Sequence, residues 1–312
     1  MNSKIKKITA LSCSLFLFMS ISLPVSASTN EVQAPTTSSR MEEILEKDTT
    51  YEGFMANTEV LTSEEIDKLP VHTISSEFDK LQDMKKQSDA QLYAMGMSKE
   101  DVLKFKSTSV KNLVLENANE TLTDNRMLEK GLSKNTIQNI RKGNYDAISE
   151  SDAEKASAEL HLGLGNWAHS GTSANCSIYW WWADKPLNRW TDTIASYITN
   201  GFDVTASSTC LVKYAELNSM TPDADKRFGL SYAESSHVAR FDFPVIQFST
   251  KWAQAGKAFV SHIGQNMSGV PIQFTGNYYH QWYPIDIEID LWGVIHFDPK
   301  EGILYTVKDT FY

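Results

Sequence analysis

Cysteine side chains are the most reactive groups in the second half of this 312-residue chain. Cys176 and Cys210 both lie there, and Cys176 could act as a nucleophile if a histidine such as His169 served as its base. In an exported protein, however, two cysteines are more commonly joined. The sequence therefore predicts a Cys176–Cys210 disulfide, which would stabilise the fold by about 3–4 kcal/mol through loop entropy.

Histidines are concentrated in the same half of the chain, which raises the question of a metal site. They are His161, His169, His237, His262, His280 and His296. No two have the spacing of close ligand pairs, and neither a His-Glu-x-x-His nor a Cys-x-x-Cys motif is present. A phosphate-binding Gly-Lys-Ser/Thr loop is also missing from the sequence. We therefore expect no metal and no cofactor. The alternative is a metal site whose protein ligands are far apart in the sequence and meet only in the fold.

Hydroxyl and carboxylate groups offer a second kind of chemistry, hydrolysis. The segment 171–175 approaches a nucleophile elbow but lacks its second glycine. Asp184, Asp192, Glu234 and Asp242 could pair as the two carboxylates of a glycosidase. A secreted hydrolase with a His/Asp site is therefore an alternative function for this chain.

Large aromatic side chains are densest in the stretch 176–190. Side chains alternate between the two faces of a strand, so this stretch would present two different surfaces. One face would carry Cys176, Ile178, Trp180 and Trp182. The other would carry Tyr179 and Trp181. One face is expected to form a core layer, and the other must be covered or must bind something.

Surface aromatics with polar neighbours suit stacking on sugar rings or anchoring a protein partner. The predicted binding residues are Tyr179, Trp181, Tyr279, Trp282 and Tyr283. A Trp-rich core is the alternative explanation for the same residues. The expected partner is a cell-surface carbohydrate or protein.

The elements that position these residues change character at Glu159. From there the hydrophobic period is two, which predicts an all-β antiparallel sandwich or barrel over 159–312. The predicted strands are 159–164, 177–182, 193–199, 204–216, 236–243, 245–250, 257–263, 271–279, 285–292 and 302–307. The segment 222–227 is predicted to be a polar loop.

Residues 41–158 contain helical patterns without Trp or Cys. Gly96 and Ser98, and again Gly131 and Ser133, end one helix and cap the next, which predicts two helical-hairpin-like units. The fold class predicted for the whole chain is α+β. A disordered tether at 28–40 would come first. An acidic helical region at 41–158 would follow it, and the β domain would come last.

The first 27 residues have the features of an export signal. Lys4, Lys6 and Lys7 precede an apolar run from about Ile8 to Leu23, and Val25-Ser26-Ala27 then offers small residues for cleavage. The protein is therefore expected to be secreted, either extracellular or associated with the cell wall. No later segment is long and apolar enough for a membrane span. The net charge of −10 argues against nucleic acid as a partner, because phosphate binding needs a basic face.

The arrangement resembles that of exported proteins of Gram-positive spore-formers. The matching motifs are Gly131-Leu132-Ser133, Trp180-Trp181-Trp182 with Pro186 and Thr191-Asp192, and Gly276-Asn277-Tyr278-Tyr279-His280. The resemblance implies location and architecture and carries no catalytic residue across. The sequence favours a non-catalytic binding protein of the cell envelope or medium. A secreted hydrolase and a secreted toxin or antimicrobial factor are the alternatives.

Overall fold

The computed structural model describes residues 37–94, 97–187, 191–198, 202–231, 238–247, 250–264, 271–280 and 303–311. These residues belong to one compact unit. Several predicted features lie outside the described residues: the export signal, the tether up to residue 36, Trp282, Tyr283, His237, His296, Glu234 and the strand 285–292.

The first part of the chain contains ten α-helices and one strand among the described residues. The helices are α1 (Thr37–Lys47), α2 (Tyr51–Ala56), α3 (Ser63–Ile66), α4 (Glu77–Lys86), α5 (Asp89–Ala94), α6 (Lys99–Ser107), α7 (Val110–Thr121), α8 (Asp124–Glu129), α9 (Lys134–Arg141) and α10 (Glu150–Ala156). The strand β1 (Val71–Ser76) lies between α3 and α4, and a 3-10 turn at Tyr145–Ala147 precedes α10.

Helix starts in this part follow the polar caps seen in the sequence. The hydroxyls of Ser98 and Ser133 accept hydrogen bonds from the backbone N–H groups of Asp101 and Thr136, as predicted. Gly131 has φ of 79°, the left-handed conformation that glycine adopts after a helix. The helix α1 begins at Thr37, before the predicted start at Met41, so residues 37–40 are helical and not part of a tether.

The remaining strands form antiparallel sheets. They are β2 (Glu159–Ser170), β3 (Ser173–Trp182), β4 (Thr191–Ile198), β5 (Phe202–Val204), β6 (Thr209–Glu216), β7 (Pro222–Phe228), β8 (Val238–Pro244), β9 (Ile246–Gln247), β10 (Lys251–Gly264), β11 (Ile272–His280) and β12 (Ile303–Phe311). The large sheet has the order β1-β2-β3-β10-β6-β7, with β5 and β9 also paired to β10. The small sheet has the order β12-β11-β4-β8. The prediction of helices combined with antiparallel sheets is confirmed, and a sandwich or barrel stays the finer prediction.

Two segments predicted as helix or loop are strands. β1 pairs with β2 from Val71 opposite Leu164 to Ser76 opposite Glu159, so the large sheet begins inside the region predicted to be helical. β7 covers the predicted polar loop and pairs with β6 at the edge of the sheet. Edge strands carry charged side chains that prevent further pairing, which explains why the sequence of β7 is typical of a loop. The predicted strand 204–216 is divided into β5 and β6.

Aromatic side chains interlock between the two sheets. Trp180 of β3 stacks on Phe243 of β8 with ring centroids 5.5 Å apart. Trp182 meets Tyr278 and Tyr305 edge to face, at 5.9 and 5.6 Å. All five side chains are fully buried. The predicted core face of β3 is confirmed, since Cys176 and Ile178 belong to the same hydrophobic cluster.

The predicted disulfide is wrong, because Cys176 and Cys210 are both free and buried. Strand β10 lies between their strands, with Val260 opposite Cys176 and Ala258 opposite Cys210. Two strand spacings separate them by about 9–10 Å. A disulfide requires Cα atoms no more than about 6.8 Å apart. The two cysteines face the core, as alternation predicts, but alternation does not reveal the strand inserted between them.

Candidate functional site

The second face of β3 is covered by the short N-terminal helices. Tyr179 is fully buried, in a cluster that also contains Ile44, Ile66 and Leu69. Trp181 is half-buried and packs against the same cluster. The binding role predicted for Tyr179 is therefore corrected, because a ring enclosed by helices α1–α3 presents no surface to a ligand. The sequence predicted that this face of β3 would either be covered or bind a ligand, and the structure shows that it is covered.

A buried ion pair lies beneath this helical cover. Asp48 follows α1, Lys257 is in the middle of β10, and both are 0% exposed. The Lys257 Nζ atom lies 2.7 and 2.9 Å from the two carboxylate oxygens of Asp48. Tyr179 donates its hydroxyl hydrogen to Asp48 Oδ2 at 2.8 Å, and Asn57 donates from Nδ2 to Oδ1 at 3.0 Å. The carboxylate is thus held by three donors in a site closed to solvent.

Burial shifts the proton affinities of this ion pair. It lowers the pKa of Lys257 to about 8, against the opposing attraction of Asp48. Burial also raises the pKa of Asp48, despite the hydrogen bonds from Lys257, Tyr179 and Asn57. The aromatic ring of Phe54 lies 4.6 Å from Lys257 Nζ and contributes to the enclosure. Both shifts bring the uncharged forms of the two groups closer to neutral pH.

A second buried polar cluster is centred on His280. Its Nδ1 atom lies 3.1 Å from both carboxylate oxygens of Asp192, and its Nε2 atom lies 3.2 Å from Glu77 Oε1. Tyr278 donates to Asp192 Oδ2 at 2.5 Å. Asp192 belongs to β4, His280 to β11, and Glu77 is the first residue of α4, so the cluster joins a helix to the small sheet.

The His280 cluster does not have the properties of a hydrolytic site. Burial by itself lowers the pKa of His280, but the charge and hydrogen bonds of Asp192 and Glu77 outweigh it and raise the pKa to about 9. An imidazolium at neutral pH cannot accept a proton as a general base. His280, Asp192 and Glu77 are also at most 1% exposed. The chemistry that this cluster supports is charge neutralisation inside the fold.

Two of the other carboxylates considered for hydrolysis, Asp184 and Asp242, are paired with cations. Asp184 is 1% exposed and lies 2.5 Å from Lys130 Nζ and 2.7 Å from Arg126 Nε. Asp242 accepts hydrogen bonds from Arg240 and Thr193. Within the described residues, the contacts of both carboxylates are thus with cations and a hydroxyl group, which neutralise them and do not prepare them for hydrolysis. Asp184 instead attaches α8 to the end of β3.

The remaining predicted reactive groups are also dispersed within the described residues. His161 bonds to Asp67 at 2.7 Å, and His262 is buried with its ring centroid 5.9 Å from that of Phe274. No group of His, Cys, Asp and Glu in the described part of the chain is arranged to hold a metal ion. Burial raises the pKa of Cys176, which disfavours the thiolate that a nucleophile needs.

The small sheet has a second face, opposite its core face, whose aromatic and polar side chains are exposed at Tyr197, Thr306 and Lys308 and buried at Thr193. We call it the outer small-sheet face, and it consists of Thr193, Tyr197, Arg240, Asp242, Thr275, Asn277, Tyr279, Thr306 and Lys308. These residues are opposite one another in the register: Thr193 faces Tyr279 and Asp242, Tyr197 faces Thr275, and Asn277 faces Thr306. Their neighbours along each strand, such as Ile194 and Tyr278, point into the core.

Exposure differs across the outer small-sheet face. Tyr197 is 41% exposed, and Thr306 and Lys308 are also exposed. Tyr279 is half-buried, and burial raises its pKa to about 12. Thr306 donates to Asn277 Oδ1 at 2.9 Å, and Arg240 donates to Asp242 Oδ1 at 2.8 Å. The face therefore combines one accessible phenol ring, that of Tyr197, with hydrogen-bonding groups that are held in place by one another.

Sequence reasoning identified Tyr279 on this face and missed Tyr197. The sequence gives no clear signal for Tyr197, because β4 is buried at every position from Asp192 to Ser196 and its burial does not alternate. Trp282 and Tyr283 are not among the described residues. The five aromatics predicted to bind are thus not brought together by the described part of the chain.

Comparisons with known proteins give only distant similarities. No family model matches the sequence, and no curated protein matches it. The collagen-binding domain of a Staphylococcus aureus adhesin is 7% identical, covers 45% of this chain and 88% of its own, and has a TM-score of 0.28. The collagen-binding subdomain of an Enterococcus faecalis surface protein is 9% identical, with 46% and 88% coverage and a TM-score of 0.22.

A third solved structure is the KRT10-binding region domain of the pneumococcal serine-rich repeat protein. It is 9% identical, covers 39% of this chain and 76% of its own, and has a TM-score of 0.23. Scores this low carry no function from these surface domains to this chain. Separately, no helix among the described residues has the length and apolar character needed to cross a membrane.

Proposed function

We propose that this is an exported binding protein, acting at the cell envelope or outside the cell, that contacts a surface carbohydrate through the outer small-sheet face. The observation that carries this proposal is the 41% exposed side chain of Tyr197, which lies opposite the half-buried Thr275 in the register of the small sheet. Export is supported by the pattern of the first 27 residues and by the resemblance to exported proteins of Gram-positive spore-formers.

Carbohydrates match the composition of this face. A sugar ring has an apolar C–H surface that can pack on an aromatic ring, and hydroxyls that need hydrogen-bond partners. Tyr197 and Tyr279 supply rings, while Thr275, Asn277 and Thr306 supply donors and acceptors. The net charge of −10 disfavours a polyanionic glycan, so a neutral polysaccharide is the expected class.

The hydrolase alternative has less support. The His and Asp groups in the described residues that could carry it, at His280 and Asp192, are at most 1% exposed and form an internal ion cluster. The toxin alternative rests on no specific contact. The binding proposal is the one that uses groups accessible from solvent.

The test is retention of the purified protein on insoluble cell-wall polysaccharide and peptidoglycan. Tyr197→Ala is expected to weaken retention by about 5-fold or more, since loss of a stacking aromatic costs about 1–3 kcal/mol. Tyr93→Ala is the matched control, because Tyr93 is 42% exposed but lies on helix α5.

Two results would contradict the proposal. One is absence of retention of the wild-type protein on every carbohydrate tested. The other is equal retention of the Tyr197→Ala and wild-type proteins. Retention on immobilised collagen or keratin alone would replace the carbohydrate by a protein partner.

A further inference from the structure

The buried contact between Lys257 and Asp48 has the composition of a covalent cross-link precursor. An amine and a carboxyl group lie at 2.7 and 2.9 Å, both 0% exposed, and the carboxyl oxygens are each held by a further donor. We propose that Lys257 Nζ and Asp48 Cγ condense to an isopeptide bond that joins the end of α1 to the middle of β10.

Proximity favours this reaction inside the protein. Because Nζ is close to both carboxyl oxygens, it also lies near Cγ, within the roughly 3–3.5 Å expected of a near-attack arrangement. A rotation of the carboxyl group about its Cβ–Cγ bond presents its face to the nitrogen. Effective concentrations of about 10⁵ M or more in such arrangements exceed that of water, so condensation can compete with hydrolysis.

The atoms of the reaction balance within the pair. A proton passes from the ammonium group to the carboxylate and gives an amine and a carboxylic acid. The nitrogen lone pair attacks Cγ and forms the C–N bond. One hydrogen leaves the nitrogen and joins the departing hydroxyl, which is released as water, while the other stays on the amide nitrogen.

The surroundings of the pair support both the proton transfer from Lys257 to Asp48 and the attack of Nζ on Cγ. Burial disfavours charge, and it lowers the pKa of Lys257 to about 8 while raising that of Asp48. Tyr179 and Asn57 donate to different oxygens of Asp48, so one donor can stabilise the developing oxyanion while the other assists the oxygen that leaves. Phe54 and Phe259, both buried, help to exclude water from the site.

A matched internal control lies in the same strand. Lys251 Nζ is 2.5 Å from Asp223 Oδ2, but this carboxylate is 47% exposed. Its charge remains solvated, so this pair is expected to stay an ion pair. Comparison of the two sites separates enclosure from proximity as the cause of reaction.

The experiment is mass spectrometry of the purified full chain whose N-terminus has first been sequenced. The expected intact mass is lower than the sequence mass by one water molecule, and protease digestion should yield a branched peptide joining Asp48 and Lys257. The Lys251 and Asp223 peptides should be unlinked. The Lys257→Arg variant should have its full sequence mass.

The proposal is overturned if the wild-type protein has its full sequence mass and yields no branched peptide. It is also overturned by a loss of one ammonia with a branch to Asn57, which would make the amide, and not Asp48, the acceptor. Since the decisive measurement is made on the wild-type chain, a failure of the variant to fold does not affect it.

Discussion

At the scale of single residues, the described structure places several of its charges in enclosed clusters. His280 lies between two buried carboxylates, and Asp184 lies between Lys130 and Arg126. Burying a charge is costly unless it is paired and hydrogen-bonded, so each cluster is satisfied as a unit and depends on every member.

The His280 cluster predicts a pH dependence of stability. The folded-state pKa of about 9 exceeds the unfolded value of about 6.5, so the folded state binds the proton more tightly. The contribution, on the order of 3 kcal/mol, is fully present below about pH 6.5 and is lost as the pH rises through 9. Urea unfolding of wild type and His280→Gln should therefore differ more at pH 6 than at pH 9.5.

The control for this measurement is His72→Gln, since His72 is an exposed histidine. Substitution of an exposed side chain should change the free energy of unfolding by no more than about 0.5 kcal/mol. A His280→Gln difference that is constant from pH 6 to pH 9.5 would contradict the assignment of charge to His280.

Asp184 provides a second prediction at this scale. Asp184→Ala would leave Lys130, whose side chain is 8% exposed, without its buried carboxylate partner. The expected loss is about 3–5 kcal/mol in the free energy of unfolding by urea. Asp83→Ala removes an exposed pair with Lys86 and should change it by less than about 1 kcal/mol. Equal effects of the two variants would refute the prediction.

At the scale of elements, strand β10 is the centre of the large sheet. It pairs with β3 on one side and with β6 on the other, and its Gly256 lies against the ring of Trp180. A Cβ atom at Gly256 would lie 2.2 Å from Trp180 Cζ2 and 2.5 Å from the backbone oxygen of Leu211. Glycine is therefore required there by the close approach of an indole ring.

Gly256→Ala is expected to destabilise the protein by about 1–3 kcal/mol, because the core must shift to admit a methyl group. Gly229→Ala is the matched control, since a Cβ atom there has nothing within 4 Å. Thermal unfolding of both variants tests this. A Gly256→Ala protein with the melting temperature of the control would show that the Trp180 ring is not fixed in place.

The sequence predicts helices and strands better than it predicts which of them pack or pair with one another. Alternation in β3 correctly separates Trp180 and Trp182 from Tyr179 and Trp181, because strand geometry is local. The cover over Tyr179 cannot be read from the sequence, since the apolar residues Ile44 and Ile66 could pack on any apolar surface. The strand between the two cysteines and the pairing of β1 are likewise properties of long-range register.

The candidate site shows the same division. The exposure of Tyr197 could not be predicted from alternation, because Thr193 and Ala195 on the same face of β4 are buried. The ion pairs of Asp48 and His280 join residues far apart along the chain, which no spacing rule relates. A buried charge that lacks a partner costs free energy, so partners can be expected, but only the fold shows which residues they are.

At the scale of the whole molecule, the first helices are part of the β architecture. Helices α1–α3 cover the large sheet, Arg227 of β7 donates to backbone carbonyls at the end of α2, and β1 completes the sheet beside β2. The chain from Thr37 onward is thus expected to unfold as one cooperative unit.

Truncation tests this cooperativity. A chain that begins at Val71 lacks α1–α3 and should expose Tyr179 and the uncompensated charge of Lys257. We expect a lower melting temperature and binding of a hydrophobic dye such as ANS. A chain that begins at Thr37 is the control and should melt like the full chain. If both truncated chains melt alike without dye binding, the helical cover does not contribute to the fold.

The meeting of Asp48 and Lys257 joins positions 209 residues apart, and this distance sets an order of events during synthesis. The helices that leave the ribosome first cannot complete their contacts with the large sheet until β10 has been translated. Their apolar side must therefore wait, in contact with water or with a chaperone, for most of the time that the chain is being made. The helices that are translated first are therefore expected to complete their packing late in folding.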